Sequence, residues 1–110
     1  SDRVYLYDAL SKKLGKKFDV TCSAKVLVEV SPLTVTKGNA LKYLCNQFKI
    51  PVSSSVACGD NLNDLSMIRA AGVGVAVGNA TQELKTEADF IAVTNNSGAI
   101  AQIIEKYGFA

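Results

Sequence analysis

The sequence predicts an α/β fold, with a parallel sheet and flanking helices over residues 35–110 and a smaller α+β piece over residues 1–34. Two observations carry this. From Lys37 onward, helical and strand-like stretches alternate with short connections, which implies βαβ units and parallel strands. Before Leu33 the grammar differs: over residues 24–30, Val26, Val28 and Val30 share one face and Lys25, Leu27 and Glu29 the other. That alternation suits an antiparallel sheet with one face better covered.

Taken in order, Arg3, Val4, Tyr5, Leu6 and Tyr7 read as a strand, and Asp8 opens a helical stretch to about Phe18. The alternating strand 24–30 is broken by Ser31 and Pro32. A helix is expected over Lys37–Phe48, with Ala40, Leu41, Leu44 and Phe48 as its buried stripe, ended by Ile50 and Pro51. A strand at 55–58, a helix at 62–71 and a strand at 73–77 follow. A short helix near 81–87, a strand at 89–93 and a last helix over about 97–107 complete the chain. Gly72, Gly74 and Gly78 do not fit the GxGxxG dinucleotide pattern and read as turn and packing glycines. No internal repeat is evident.

The composition excludes several classes. With 48% hydrophobic and 20% charged residues and two prolines among 110, the chain is globular rather than disordered. A net charge of +2 gives no footprint for nucleic acid or an anionic membrane. Lys12, Lys13, Lys16 and Lys17 read as a solvated helix face. No apolar run approaches the ~20 residues that span a bilayer, and no signal-peptide pattern opens the chain. The three cysteines, Cys22, Cys45 and Cys58, form no CxxC pair, and reduced thiols in a cytoplasmic protein are the simpler expectation. Histidine is absent, which removes Ser-His-Asp and Cys-His catalysis and histidine-based zinc sites together.

What remains is oxygen, amide and lysine chemistry, and one segment concentrates it. Val56-Ala57-Cys58-Gly59 reads as a buried strand that stops at a glycine, and Asp60, Asn61, Asn63 and Asp64 follow at once. Carboxylates grouped at the end of a strand suit a hard cation such as Mg²⁺. Asp60 and Asp64 flank a helix N-terminus, where backbone N–H groups are free and negative charge is tolerated. Simple helix capping by Asp60 or Asn61 accounts for one polar residue but not for the cluster. A calcium loop fits poorly, because the alternate positions after Asp60 hold Leu62 and Asp64 and the turn glycine is missing.

Topology adds a lysine. Helix N-termini and strand C-termini of a parallel α/β layer share one sheet edge, where ligands bind. Lys37 opens the helix before the Asp60 strand, so the chain runs down that helix and back up the strand to the same edge. Asn79, Asn95 and Asn96 follow later strands and are expected to return there. A salt bridge is the plainer reading of such a lysine; a lysine facing Mg²⁺ and a phosphate accounts better for the amides.

These residues resemble a known family. Thr36-Lys37-Gly38-Asn39-Ala40-Leu41, Gly59-Asp60-Asn61-Leu62-Asn63-Asp64-Leu65-Ser66-Met67 and Ala71-Gly72-Val73-Gly74-Val75-Ala76-Val77-Gly78-Asn79-Ala80 are similar, in order and spacing, to motifs of the haloacid dehalogenase-like (HAD) superfamily. More narrowly, they resemble the Cof-type sugar-phosphatase branch, and Ala88-Asp89 and Ser97-Gly98-Ala99-Ile100 continue the likeness. The resemblance implies a Rossmann-like core over residues 35–110 and the C-terminal part of a mobile cap over residues 1–34. It implies that Asp60 binds Mg²⁺ directly and that Asp64 supports the ion through a bound water. Asn63 would hold phosphate or metal-bound water, and Lys37 would neutralise phosphate and the aspartyl-phosphate intermediate.

The family's DxD motif, whose first Asp is the nucleophile, has no match: Asp occurs at 2, 8, 19, 60, 64 and 89, with no pair two apart. The expectation is therefore the C-terminal portion of a Mg²⁺-dependent phosphomonoester hydrolase of small phosphorylated metabolites, inactive alone. Without the central nucleophile strand, an open sheet edge is expected to drive self-association. The alternative is a shortened non-catalytic module that binds a phosphorylated ligand or a partner chain, which a start codon close to Ser1 would favour. Substrate identity is not legible.

Overall fold

The structure, a computed structural model, describes residues 2–24, 27–93 and 96–107. Its first element is a helix, α1 (Asp2–Leu14), and not the strand expected over residues 3–7. The alternation of Val4 and Leu6 is misleading, since Val4, Tyr5 and Leu6 are all exposed. The inward positions are Tyr7, Leu10, Ser11 and Leu14, the i, i+3, i+4, i+7 spacing of one helical face. A turn at Gly15–Lys17, earlier than the expected helix end at Phe18, leads into an antiparallel hairpin of β1 (Phe18–Ala24) and β2 (Leu27–Pro32). The expected strand 24–30 thus straddles two strands. The alternation at Val28 and Val30 belongs to β2, whereas Lys25 and Val26 lie outside the described residues.

From Lys37 the parallel α/β order holds. Helix α2 (Lys37–Gln47) is followed by β3 (Val56–Gly59), a single 3-10 turn at Leu62–Asp64 and α3 (Leu65–Ala70). Then come β4 (Val73–Val77), α4 (Gln82–Glu87), β5 (Phe90–Ala92) and α5 (Asn96–Tyr107). The three strands pair in parallel in the order β3-β4-β5. Central β4 reads Val-Gly-Val-Ala-Val without alternation because both its faces are covered. Val75 and Ala76 are fully buried among Ile68, Leu84, Ala92, Ala99 and Ile103. Asp89 fixes the entry to β5: its N–H donates to the Gly74 carbonyl at 2.7 Å, and its carboxylate accepts from the Gly74 N–H at 2.8 Å.

Helix α2 ends in a Schellman motif. The Ile50 N–H donates to the Cys45 carbonyl (2.8 Å) and the Lys49 N–H to that of Asn46 (3.2 Å), with Lys49 left-handed at φ 56°. Its inward face is not the expected one. Gly38 and Cys45 are buried, whereas Ala40 and Leu44 are exposed and Phe48 is 71% exposed. The reason is the contact made: α2 lies close against α3 through Gly38, and no described element covers its Leu44–Phe48 side.

Candidate active site at the strand carboxyl edge

Thr36 caps α2, its side-chain oxygen accepting from the Asn39 N–H at 3.1 Å, so Lys37 stands in the helix's first turn. Gly38 lets that turn approach α3 closely. Its N–H donates to Ser66 Oγ at 2.9 Å, and a Cβ there would lie 2.5 Å from the Ser66 carbonyl oxygen. This contact holds Lys37 over the end of β3, where its Nζ meets Asp64 Oδ1 at 2.6 Å. The expectation that topology would bring the helix-opening lysine to the acidic segment is met, with Asp64 as the partner.

The Asp64 side chain is buried, the residue being 6% exposed, and both its oxygens are engaged. Oδ1 takes Lys37, and Oδ2 accepts from the N–H groups of Asp60 (3.0 Å) and Asn61 (3.3 Å). Asn61 completes a capping box with Asp64 and accepts from the Leu62 N–H at 2.9 Å. Capping therefore belongs to Asn61 and Asp64, which frees Asp60. The Asp60 carboxylate is exposed and, among the described residues, has no hydrogen-bond or ion-pair partner. Only its backbone is tied down, the N–H to Asp64 and the carbonyl to the Thr81 N–H at 3.1 Å.

Lys37, Gly59, Asp60 and Asp64 line a cavity of about 320 Å³, with Cys58 in its wall. Burial raises the Cys58 thiol pKa, and the charges of Asp64 and then Asp60 raise it further, so the thiol is protonated at neutral pH and is no nucleophile there. Asn63 points elsewhere: it lines a second cavity of about 440 Å³, which shares Lys37 with the first and is walled by the β1–β2 hairpin. Asn79 is exposed and, among the described residues, lines neither cavity; Asn95 lies outside those residues and Asn96 begins α5. Ser66 and the hairpin were not singled out by sequence. Ser66 stood inside the motif that carries Asp60, but its role depends on a contact with Gly38 that only the helix packing reveals.

The donor set fits Mg²⁺, which usually takes one or two carboxylates, keeps several waters and shares a substrate phosphate. Asp60 offers a free carboxylate, and Asp64 keeps lone pairs beside it. Among the described residues no group of three or more His, Cys, Asp or Glu could enclose a metal alone. Gly59 is essential to the geometry, since a Cβ there would lie 2.4 Å from that of Asp64. Gly59→Ala is expected to destabilise the chain by about 1–3 kcal/mol through overpacking, measured by urea unfolding.

A glycine-ended strand, an acidic capped turn and a helix-borne lysine on one edge define a class, and comparison with known proteins identifies it. The sequence pattern of the haloacid dehalogenase-like hydrolases matches residues 2–104, and the chain belongs to that family. Among its relatives, the phosphatase YwpJ of Bacillus subtilis is 43% identical over 76% of this chain and 29% of its own length. The 5-amino-6-(5-phospho-D-ribitylamino)uracil phosphatase YcsE of Bacillus subtilis is 36% identical over 84% of the chain and 37% of its own length. A solved haloacid dehalogenase-like hydrolase from B. subtilis superposes with a TM-score of 0.83 at 37% identity, over 92% of this chain and 36% of that one. The chain thus spans under half the length of each of these relatives. Among the described residues no helix is long and apolar enough to cross a membrane.

Proposed function

We propose that this chain supplies the metal-and-lysine half of a Cof-type, Mg²⁺-dependent phosphomonoester hydrolase acting on small phosphorylated metabolites in the cytoplasm. The observation that carries the reading is the pairing of Lys37 with buried Asp64 beside the unpaired, exposed carboxylate of Asp60. Phosphoryl transfer needs little from a protein beyond positioning and charge stabilisation, which this edge offers from fixed groups. Asp60 would bind the cation directly. Asp64, with both oxygens occupied, would act through Lys37, the loop backbone and a bound water. Lys37 would face the phosphate, and Asn63 would contact it from the hairpin side. Bound there, Mg²⁺ would neutralise charge on the phosphoryl oxygens.

In this reading residues 1–34 belong to the cap and residues 35–110 to the core. The DxD pair has no match among the 110 residues, so the nucleophile comes from outside this chain. The test is p-nitrophenyl phosphate hydrolysis with and without Mg²⁺, by this chain and by the chain extended through its upstream reading frame. Turnover only in the extended form supports the proposal. Mg²⁺-dependent turnover by the 110 residues contradicts the placement of the nucleophile. An inactive extended form favours a binding module.

The 110-residue chain by itself is also expected to self-associate. Among the described residues β3 pairs only with β4, which leaves its outer edge open, and Leu44, Phe48 and Ile50 are exposed nearby in sequence. Sedimentation should show mass rising with concentration, whereas a monomer that unfolds cooperatively would contradict this.

A further inference from the structure

Beside the Lys37–Asp60–Asp64 edge lies the larger cavity, about 440 Å³, within the range of small-ligand sites. Lys37 lines both cavities, so a phosphoester held at the first has the second within reach of its alcohol portion. Strand register explains what the second cavity presents. Asp19 pairs with Ser31, and Thr21 with Glu29. Directly opposed residues of an antiparallel pair put their side chains on one face, and so do residues two apart on a strand. Asp19, Thr21, Glu29 and Ser31 therefore form a two-by-two polar face, and all four line the cavity. Val20, Cys22, Val28 and Val30 fall on the opposite face, although Val30 also borders the cavity.

The electrostatics of this wall are one-sided. Among the described residues neither Asp19 nor Glu29 has an ion pair or a side-chain hydrogen bond. Among the described residues, the cations that line these cavities are committed elsewhere: Lys37 to Asp64 at 2.6 Å, and Arg69, which shares a neighbouring cavity with Asp19, to Glu87 at 2.8 Å. The Thr21 hydroxyl is buried behind this wall and, among the described residues, has no hydrogen-bond partner, so the two carboxylates set the wall's polarity. Carboxylates only accept hydrogen bonds, whereas hydroxyls do both. The wall thus welcomes donors and repels anions.

Resting on the phosphatase reading above, in which the cap over residues 1–34 selects the substrate, we propose that Asp19 and Glu29 on the β1–β2 hairpin set the charge preference of this site. The site selects phosphomonoesters whose alcohol portion carries hydroxyl donors and no second negative charge, with Asp19 and Glu29 as the discriminating residues. The complementary expectation is rejection of phosphoesters that bear a carboxylate, because two unpaired carboxylates face the ligand's far end.

Binding tests this without turnover. The ¹H–¹⁵N spectrum of the chain, held in Mg²⁺, is followed during titration with inorganic phosphate, glycerol 1-phosphate and 2-phosphoglycolate. Phosphate should shift amides around Lys37 and Asp60–Asp64. Glycerol phosphate should shift these and also the hairpin amides near Asp19, Thr21, Glu29 and Ser31. It should bind on the order of tenfold tighter than phosphoglycolate, the scale expected for two partly solvated like-charge contacts. Asp19→Asn combined with Glu29→Gln should bring the affinity ratio toward one, and Glu29→Lys should favour phosphoglycolate. A silent hairpin beside a responsive Lys37–Asp60 edge, or a ratio that these variants leave unchanged, overturns this charge preference and leaves the phosphatase reading intact. No response to phosphate anywhere overturns both.

Discussion

Asp64→Ala is expected to cost about 2–4 kcal/mol of folding free energy, a large part of the roughly 5–15 kcal/mol typical of a whole domain. The carboxylate satisfies two backbone N–H groups and one ammonium from a position only 6% exposed. Its loss leaves the Asp60 and Asn61 N–H groups without their acceptor, and water reaches a part-buried turn poorly. The Lys37 share is small, because that side chain is 50% exposed and can hydrate. Asp64→Asn, which keeps an acceptor of the same shape, should lose less. Urea unfolding of the two variants checks this, with the midpoint falling while the slope stays constant. A loss under about 0.5 kcal/mol for the alanine variant, the range of ordinary surface substitutions, would contradict Asp64 as the organiser of the turn.

Lys37→Ala should act the opposite way, with little change in stability and a severe loss of turnover. On the proposed phosphatase reading, removing a preorganised charge from the phosphate site of the extended form is expected to lower kcat by about 10²–10³. The loss should appear in kcat rather than in KM alone, because the charge is needed most where negative charge develops. Steady-state kinetics of the variant against the parent measure it. An unchanged kcat would make Lys37 a structural salt-bridge partner and nothing more.

The core half of the fold was legible because its signals are local and agree with one another. The helix opened by Lys37 and ended by Ile50 and Pro51, the Val73–Val77 strand and the glycine-ended Val56–Gly59 strand each follow from a few residues. Their alternation then fixes a parallel sheet and its functional edge. The first thirty residues were harder. Arg3–Tyr7 has a period of two over too short a window, while the helical face of α1 is set by Tyr7, Leu10, Ser11 and Leu14 further on. Phe18, Val20 and Cys22 do alternate as β1, but the overlong helix expected to reach Phe18 concealed them. The stripe of α2 failed for a different reason. Hydrophobicity nominated Leu44 and Phe48, but Gly38 and Cys45 are what α3 and its surroundings enclose, and no described element covers the larger residues.

The candidate site shows the same division. Topology brought Lys37 to the acidic edge, and the family resemblance rather than the residue spacing gave Asp60 and Asp64 separate roles; in the fold the two differ in burial. Asp64 faces inward against Gly59 and takes up the loop's N–H groups, and this leaves Asp60 as the open carboxylate. The hairpin wall was out of reach because it depends on a strand register fixed by residues far from the motifs.

In the proposed reading Asp60 binds the cation at a phosphate site whose frame is Asp64 and Lys37. The most direct test of this is Mg²⁺ titration of the chain, in the presence of inorganic phosphate, followed by amide chemical shifts in the wild type and in Asp60→Ala. Saturable shifts confined to residues around Cys58–Asp64 and Lys37, abolished in a variant that keeps the rest of its spectrum, are the predicted result. Equal Mg²⁺ affinity in Asp60→Ala would contradict it.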